Sequence, residues 1–94
     1  MIDVKEAVRQ ATEYLEQLYP LSQLHDVLLE EVSLSDDGRY WFVTLGFSRP
    51  IPSPDPMRRV TEGVLHSAKY QREYKVFEID SATGQVKSMK IRAA

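Results

Sequence analysis

The stretch Tyr40-Trp41-Phe42-Val43-Thr44-Leu45-Gly46-Phe47 decides the architecture. Trp41, Val43, Leu45 and Phe47 share one side by two-residue alternation, the pattern of a strand with one buried face. Upstream, Val27 to Leu34 reads as a second strand, and Ser35-Asp36-Asp37-Gly38-Arg39 between the two carries the Asp and Gly of a turn. Together they predict a hairpin with Leu34 opposite Trp41 and Val32 opposite Val43. The same register points Glu30 inward opposite Leu45, where an unpaired carboxylate would cost several kcal/mol. One extra residue near Glu30 and Glu31, a β-bulge, is the cheaper solution: it turns Leu29, Val32 and Leu34 inward and leaves both acids in solvent. The alternative is Glu30 as a deliberate buried or half-buried acid. Gly46, between Leu45 and Phe47, marks a bulge or a point where something closely approaches the backbone.

Before this hairpin, Val4, Val8, Ala11, Leu15 and Leu18 recur at steps of four and three, with Ala7 and Tyr14 widening the stripe. That spacing predicts an amphipathic helix over residues 3–19. Asp3 followed by Glu6 resembles a capping box, and Pro20 ends the helix by disfavouring helical geometry at Tyr19. Leu21 to Asp26 then form a connection. After the hairpin, Arg49-Pro50-Ile51-Pro52-Ser53-Pro54-Asp55-Pro56 holds four of the five prolines, which excludes a central strand there and predicts a Pro-rich connection over about 48–71. A short helix over about Met57 to Ala68 is possible within it.

A second hairpin follows, from Glu73 to Asp80, through Ser81-Ala82-Thr83-Gly84-Gln85, to Val86 to Arg92. Phe77 and Ile79 belong to the core, while Tyr74 and Val76 lie on the other face. A simple register sets Lys75 against Lys90, so a bulge is expected here as well. With it, Met89 and Ile91 follow Phe77 inward. The fold class is therefore α+β: a single domain over 1–94 with an N-terminal helix packed on a four-stranded antiparallel sheet, in the order α-β-β-loop-β-β.

The run Phe77-Glu78-Ile79-Asp80-Ser81-Ala82-Thr83-Gly84-Gln85-Val86 resembles the strand-Asp-x-x-Thr-Gly-x-Val hairpin of PepSY-type domains, a family similar to half of a cystatin-like fold. The resemblance covers about 20 residues. It implies a helix on an antiparallel sheet and a protein-binding role, since such domains accompany peptidases as inhibitory or chaperoning modules. The Gln-x-Val-x-Gly loop of true cystatins does not occur, and no functional residue is carried over.

Composition narrows the function. With 94 residues, 43% hydrophobic and 28% charged, the chain is one globular domain with room for one small core. Stability of ~0.05–0.15 kcal/mol per residue amounts to roughly 5–14 kcal/mol. The chain has no cysteine, hence neither a disulfide framework nor a thiol nucleophile. Met1 to Lys5 lacks the pattern of a signal peptide and no apolar run is long enough for a membrane span, so a cytoplasmic protein with no membrane partner is expected. A net charge of −2 argues against nucleic acid as a partner. That charge is uneven: residues 1–48 hold nine acids against three bases, and residues 49–94 hold five against nine. Such a division can mean attraction between the halves or a dipolar surface, the plainer reading being solvated charge without a specific purpose.

Chemistry finds little support. His25-Asp26 is the only adjacent acid–base pair, His66 stands apart, and the glycines form no phosphate-cradling loop. The expectation is no enzyme, no metal and no cofactor. The informative surplus is aromatic: with the second and third strands as neighbours, Tyr40 and Phe42, joined by Tyr74 and Val76, form an apolar patch of ~300–400 Å² on the outer sheet face, near the size that marks interfaces, unless the Pro-rich segment folds back over them. The sequence therefore reads as a non-enzymatic module that binds a protein partner or forms a homodimer through this face, or through the basic Pro-rich segment with Arg49, Arg58 and Arg59. The alternative is a small-ligand binder or enzyme with a cleft between helix and sheet, using Glu30, His25 and Asp26.

Overall fold

The computed structural model describes residues 1–50 and 70–92 of the chain. Helix α1 spans Val4–Leu18, a single 3-10 turn covers Leu21–Gln23, and strands β1 (His25–Leu34), β2 (Tyr40–Pro50), β3 (Tyr70–Asp80) and β4 (Val86–Arg92) follow. The strands form one antiparallel sheet in the order β1-β2-β3-β4, with α1 across one face. This is the α+β architecture the patterning predicts.

Local chemistry explains each boundary. The Asp3 side chain accepts a hydrogen bond from the Glu6 backbone N–H at 2.8 Å, so one half of the capping box forms. The other half does not, because the Glu6 carboxylate is taken by Arg9 and Gln10. At the far end Tyr19 is extended, with φ −121° and ψ 138°, as a residue before proline prefers.

Helix residues Ala7, Ala11 and Leu15 are fully buried together with Val43 and Phe47 of β2 and Phe77 and Ile79 of β3. The two alanines keep the helix close to the sheet. Tyr14 meets Phe77 edge to face, with ring centroids 6.1 Å apart, and Tyr19 packs on Phe47 at 5.6 Å. Trp41 faces the helix side, and its indole N–H donates to the Ile2 carbonyl at 3.2 Å. The hydrophobic stripe read from the sequence is thus the core.

The expected bulges are present. Leu29 pairs with Leu45 and Glu31 with Thr44, so Glu30 is the extra residue. In β4 the register shifts between Glu78 and Ile79, which sets Lys90 opposite Val76 and Ile91 opposite Lys75; the Lys75–Lys90 clash is avoided. A further irregularity between His25 and Leu28 was not foreseen, and there Asp26 takes a left-handed φ of 51°, which Asp tolerates better than most residues. Being on helix-side rows did not bury every edge residue. Leu29 and Leu34 remain about half exposed, and Ile91 is 81% exposed, because α1 lies over the middle of the sheet and not its borders.

The strands also run further than predicted. Ser48 to Pro50 pair with Tyr70 to Arg72, so the central hairpin takes in both ends of the expected 48–71 connection. Pro50 is tolerated because it ends the ladder. The proline run from Pro52 onward and the helix expected near Met57 to Ala68 lie outside the described residues.

The turns are built by short side chains. Asp37 accepts from the Ser35 hydroxyl and the Arg39 N–H, while Gly38 supplies φ 72°. Asp80 accepts from the N–H groups of Ala82 and Thr83 at 2.8 and 3.0 Å, the Thr83 hydroxyl accepts from the Gln85 N–H, and Gly84 supplies φ 79°. Ser81 then ties the two turns together: its hydroxyl donates to the Gly38 carbonyl and its N–H to the Arg39 carbonyl, while its own carbonyl accepts from the Ile2 N–H.

These contacts make the turns sensitive to acid. The Thr83 and Ala82 N–H groups hold Asp80 below its ordinary pKa, the Ser35 hydroxyl and Arg39 N–H do the same for Asp37, and hydrogen bonds from Arg9 and Gln10 lower Glu6 to about 2. A carboxylate with a depressed folded pKa contributes stability above its unfolded pKa and loses it as pH falls through the folded value. The melting temperature should therefore decline as pH drops from the unfolded values of 4.5 and 3.8 towards about 2. Asp80→Asn keeps the acceptor oxygen without the charge, so a pH series of thermal melts should show a shallower acid slope. An unchanged slope would sink this account of Asp80.

Candidate functional site

The sheet face away from α1 carries Tyr40, Phe42, Thr44, Gly46 and Ser48 from β2, flanked by Arg72, Tyr74, Val76 and Glu78 of β3. Phe42 stands diagonally to Val76, which opposes Thr44, and Tyr74 opposes Gly46. Tyr40 and Phe42 on one strand and Val76 and Tyr74 on the next therefore make an oblique stripe over the two central strands. This places four of the expected interaction residues on one surface.

That surface differs from the expectation in one respect: all four are half-buried, not fully exposed. Over Phe42, Thr44 and Val76 the cover is charge. Glu31 on one border strand and Arg92 on the other lean inward over the face and meet at 2.8 Å, and Thr44 beneath is only 4% exposed. Glu31, Ser33, Phe42, Thr44, Val76 and Arg92 enclose a shallow hollow of about 260 Å³.

A second ion pair crosses the face nearby. Glu30 lies over Gly46 and meets Arg72 at 3.0 Å. Arg72 also donates to the Asp26 carbonyl at 2.7 Å and to the Ser48 hydroxyl at 3.2 Å. One guanidinium thus holds both irregular points of β1 from two strands away. A Cβ at Gly46 would sit 2.7 Å from a Glu30 oxygen and 3.0 Å from its Cγ, so the Glu30 side chain lies where it does because this position has no side chain. The close approach expected at Gly46 is therefore that of the Glu30 side chain. Both ion pairs join an acid of the first half to a base of the second, one of the arrangements the charge division allowed.

The remaining candidates are elsewhere. Arg49 leaves this surface: its guanidinium sits 5.3 Å from the Tyr19 ring, approaches Glu73 at 3.4 Å and donates to Gln23, so it fastens the end of β2 to the helix end. Its place on a helix-side row, out of phase with Ser48, explains the difference. Arg58 and Arg59 lie outside the described residues, as does His66. Glu30, His25 and Asp26 do not line a cleft under the helix. Glu30 is on the opposite face, His25 packs against Tyr70 at 5.0 Å with Nε2 3.0 Å from the Ser22 carbonyl, and Asp26 is exposed. An open groove of about 320 Å³ beside the helix is lined by Gln10, Glu13, Tyr14, Gln17, Gln85 and Val86, and contains none of them.

Among the described residues no three potential metal ligands gather, no buried side-chain polar atom lacks a partner, and no helix is long and apolar enough to cross a membrane. Sequence reading missed Arg72 and Arg92, whose roles depend on partners over 40 residues away in the chain. The charge division was their only trace.

Fold and surface together define a small α+β domain with a half-covered aromatic face. Comparison of the chain with family models, curated proteins and solved structures returns no match. The likeness of the last hairpin to PepSY-type domains rests on its own residues, and Asp80, Thr83 and Gly84 are all engaged in building that turn.

Proposed function

We propose that this chain is a non-enzymatic interaction module that seats a protein partner on its outer sheet face. The observation that carries the reading is the Tyr40–Phe42–Val76–Tyr74 stripe, with a 260 Å³ hollow between Phe42, Val76 and the Glu31–Arg92 pair. An apolar floor offers area to a partner side chain, and the charged rim supplies orientation, the usual division of labour at an interface. Arg92, 47% exposed at its side chain, can swing from Glu31 to an incoming carboxylate at small cost, because exposed ion pairs contribute about 0–1 kcal/mol.

The test combines Phe42→Ala with Tyr74→Ala. Affinity capture from the native host followed by mass spectrometry identifies partners retained by the unaltered chain. The double variant should lose those partners in capture and in size-exclusion chromatography while its melting temperature changes little. Retention of the partners, or a collapse of the melting temperature that assigns both rings to the core, would reject the reading.

A further inference from the structure

The two borders of the sheet are complementary to each other. Among the described residues β1 and β4 each have one side without a neighbouring strand. The β1 border carries Asp26, Glu30 and Glu31 and the β4 border Lys87, Lys90 and Arg92, all exposed; Glu30 and Glu31 already meet Arg72 and Arg92 of their own chain, which leaves Asp26 on one border facing Lys87 and Lys90 on the other as the complementary charges. Both also display aliphatic side chains that the helix leaves uncovered: Leu28, Leu29 and Leu34 are 56%, 47% and 38% exposed on β1, and Ile91 is 81% exposed on β4.

The register shows how these groups would meet. Residues lying in one row across the sheet are Leu29–Leu45–Lys75–Ile91, Glu31–Thr44–Val76–Lys90, and Val32–Val43–Phe77–Met89. Because neighbouring strands alternate in direction, β4 of one copy beside β1 of another continues the antiparallel order with both helices on the same side. An in-row continuation then sets Ile91 against Leu29, Lys90 against Glu31 and Met89 against Val32. The most exposed aliphatic residue of β4 thus meets its uncovered counterpart on β1, and in the next row Lys90 joins a Glu31 whose other oxygen is held by Arg92 of its own chain.

We infer that copies of this chain associate head to tail, the β4 border of one adding to the β1 border of the next. The occupant of each border is a second copy; the contact shares Glu31 with the rim of the outer face but leaves its aromatic floor free. Pairing β4 with β4 is disfavoured, since it gathers Lys87 and Lys90 of both copies. Bulges and border lysines are the devices by which sheets avoid indiscriminate strand addition. Here the lysine border repels its own kind and neutral strands gain nothing from it, whereas an acidic border is attracted. An open chain of such heterologous contacts leaves a free β1 border at one end and a free β4 border at the other, so growth continues past the dimer.

Sedimentation velocity of the full chain over a concentration series decides the matter. At low salt the weight-average mass should climb past that of two chains without a plateau, and it should fall back as salt screens the charges. Lys90→Glu and Glu31→Lys should each weaken association about tenfold or more, and an equimolar mixture of the two variants should restore it. Ile91→Asp should weaken it without altering the melting temperature, while Phe42→Ala should leave it unchanged, which separates this proposal from the outer-face reading. A monomer at every concentration, a plateau at the dimer, or a mixture that behaves like its separate components would overturn the proposal. Circular dichroism of each variant verifies folding, and the freely exposed Ile91 supplies the decisive arm if Glu31→Lys proves unfolded.

Discussion

Phe77→Ala should lower stability by about 3–5 kcal/mol, the usual cost of truncating a buried aromatic ring to a methyl group. Phe77 has no exposed surface, lies under the helix at the centre of the sheet, and receives the edge of Tyr14. The ring's removal forfeits its transfer from water, leaves a void that close-packed neighbours fill only in part, and ends the aromatic contact. Against a total of roughly 5–14 kcal/mol for a chain of this size, the variant is partly unfolded at the lower end of that range. Urea denaturation is the measurement: the midpoint should fall steeply with little change in slope. Phe77→Leu, closer in volume, should lose much less. A loss under about 1 kcal/mol for the alanine variant would mean that the helix does not seal this part of the sheet.

Gly46→Val should cost no more than about 1 kcal/mol, the value of the half-exposed ion pair it displaces, although valine is by itself the better strand former. A β-carbon at this position would collide with the Glu30 side chain, so the carboxylate must leave Arg72. Arg72 then holds the bulged strand with one partner fewer. The mechanism has a diagnostic form in a double-mutant cycle. With Glu30→Ala already in place the collision is gone, and Gly46→Val should become neutral or stabilising. Additive costs would show that Glu30 is not what a side chain at this position meets.

Much of this architecture was legible beforehand, for identifiable reasons. The helix was readable because its apolar residues recur at a period no other element shares, and because Asp3 and Pro20 delimit it chemically. The inward row of Trp41, Val43, Leu45 and Phe47 was readable because alternation leaves one face for the core. Even the bulges at Glu30 and in β4 were legible, since each is the least costly escape from a carboxylate in the core or from two facing lysines. The extents of β2 and β3 were not, because Ser48 to Pro50 and Tyr70 to Arg72 owe their extended form to pairing with each other and not to local preference.

The outer face divides along the same line. That Tyr40, Phe42, Tyr74 and Val76 share it follows from period two alone. How far Phe42 and Val76 meet solvent depends on Glu31 and Arg92, which come from opposite borders and meet over Thr44 only once four strands are side by side. Arg49 shows the converse: its charge suggested a surface role, yet the packing of Tyr19 at the helix end gives it a ring to stack on.

The amino-acid order by itself determined the elements, their inward faces and two places where a strand must deform, because periodicity, capping and turn chemistry act over a few residues. Only the tertiary structure decided which charges meet, what fills the space over Gly46, and how much of the aromatic stripe stays open. Those outcomes depend on side chains from distant parts of the chain reaching the same point, and no local pattern encodes that distance.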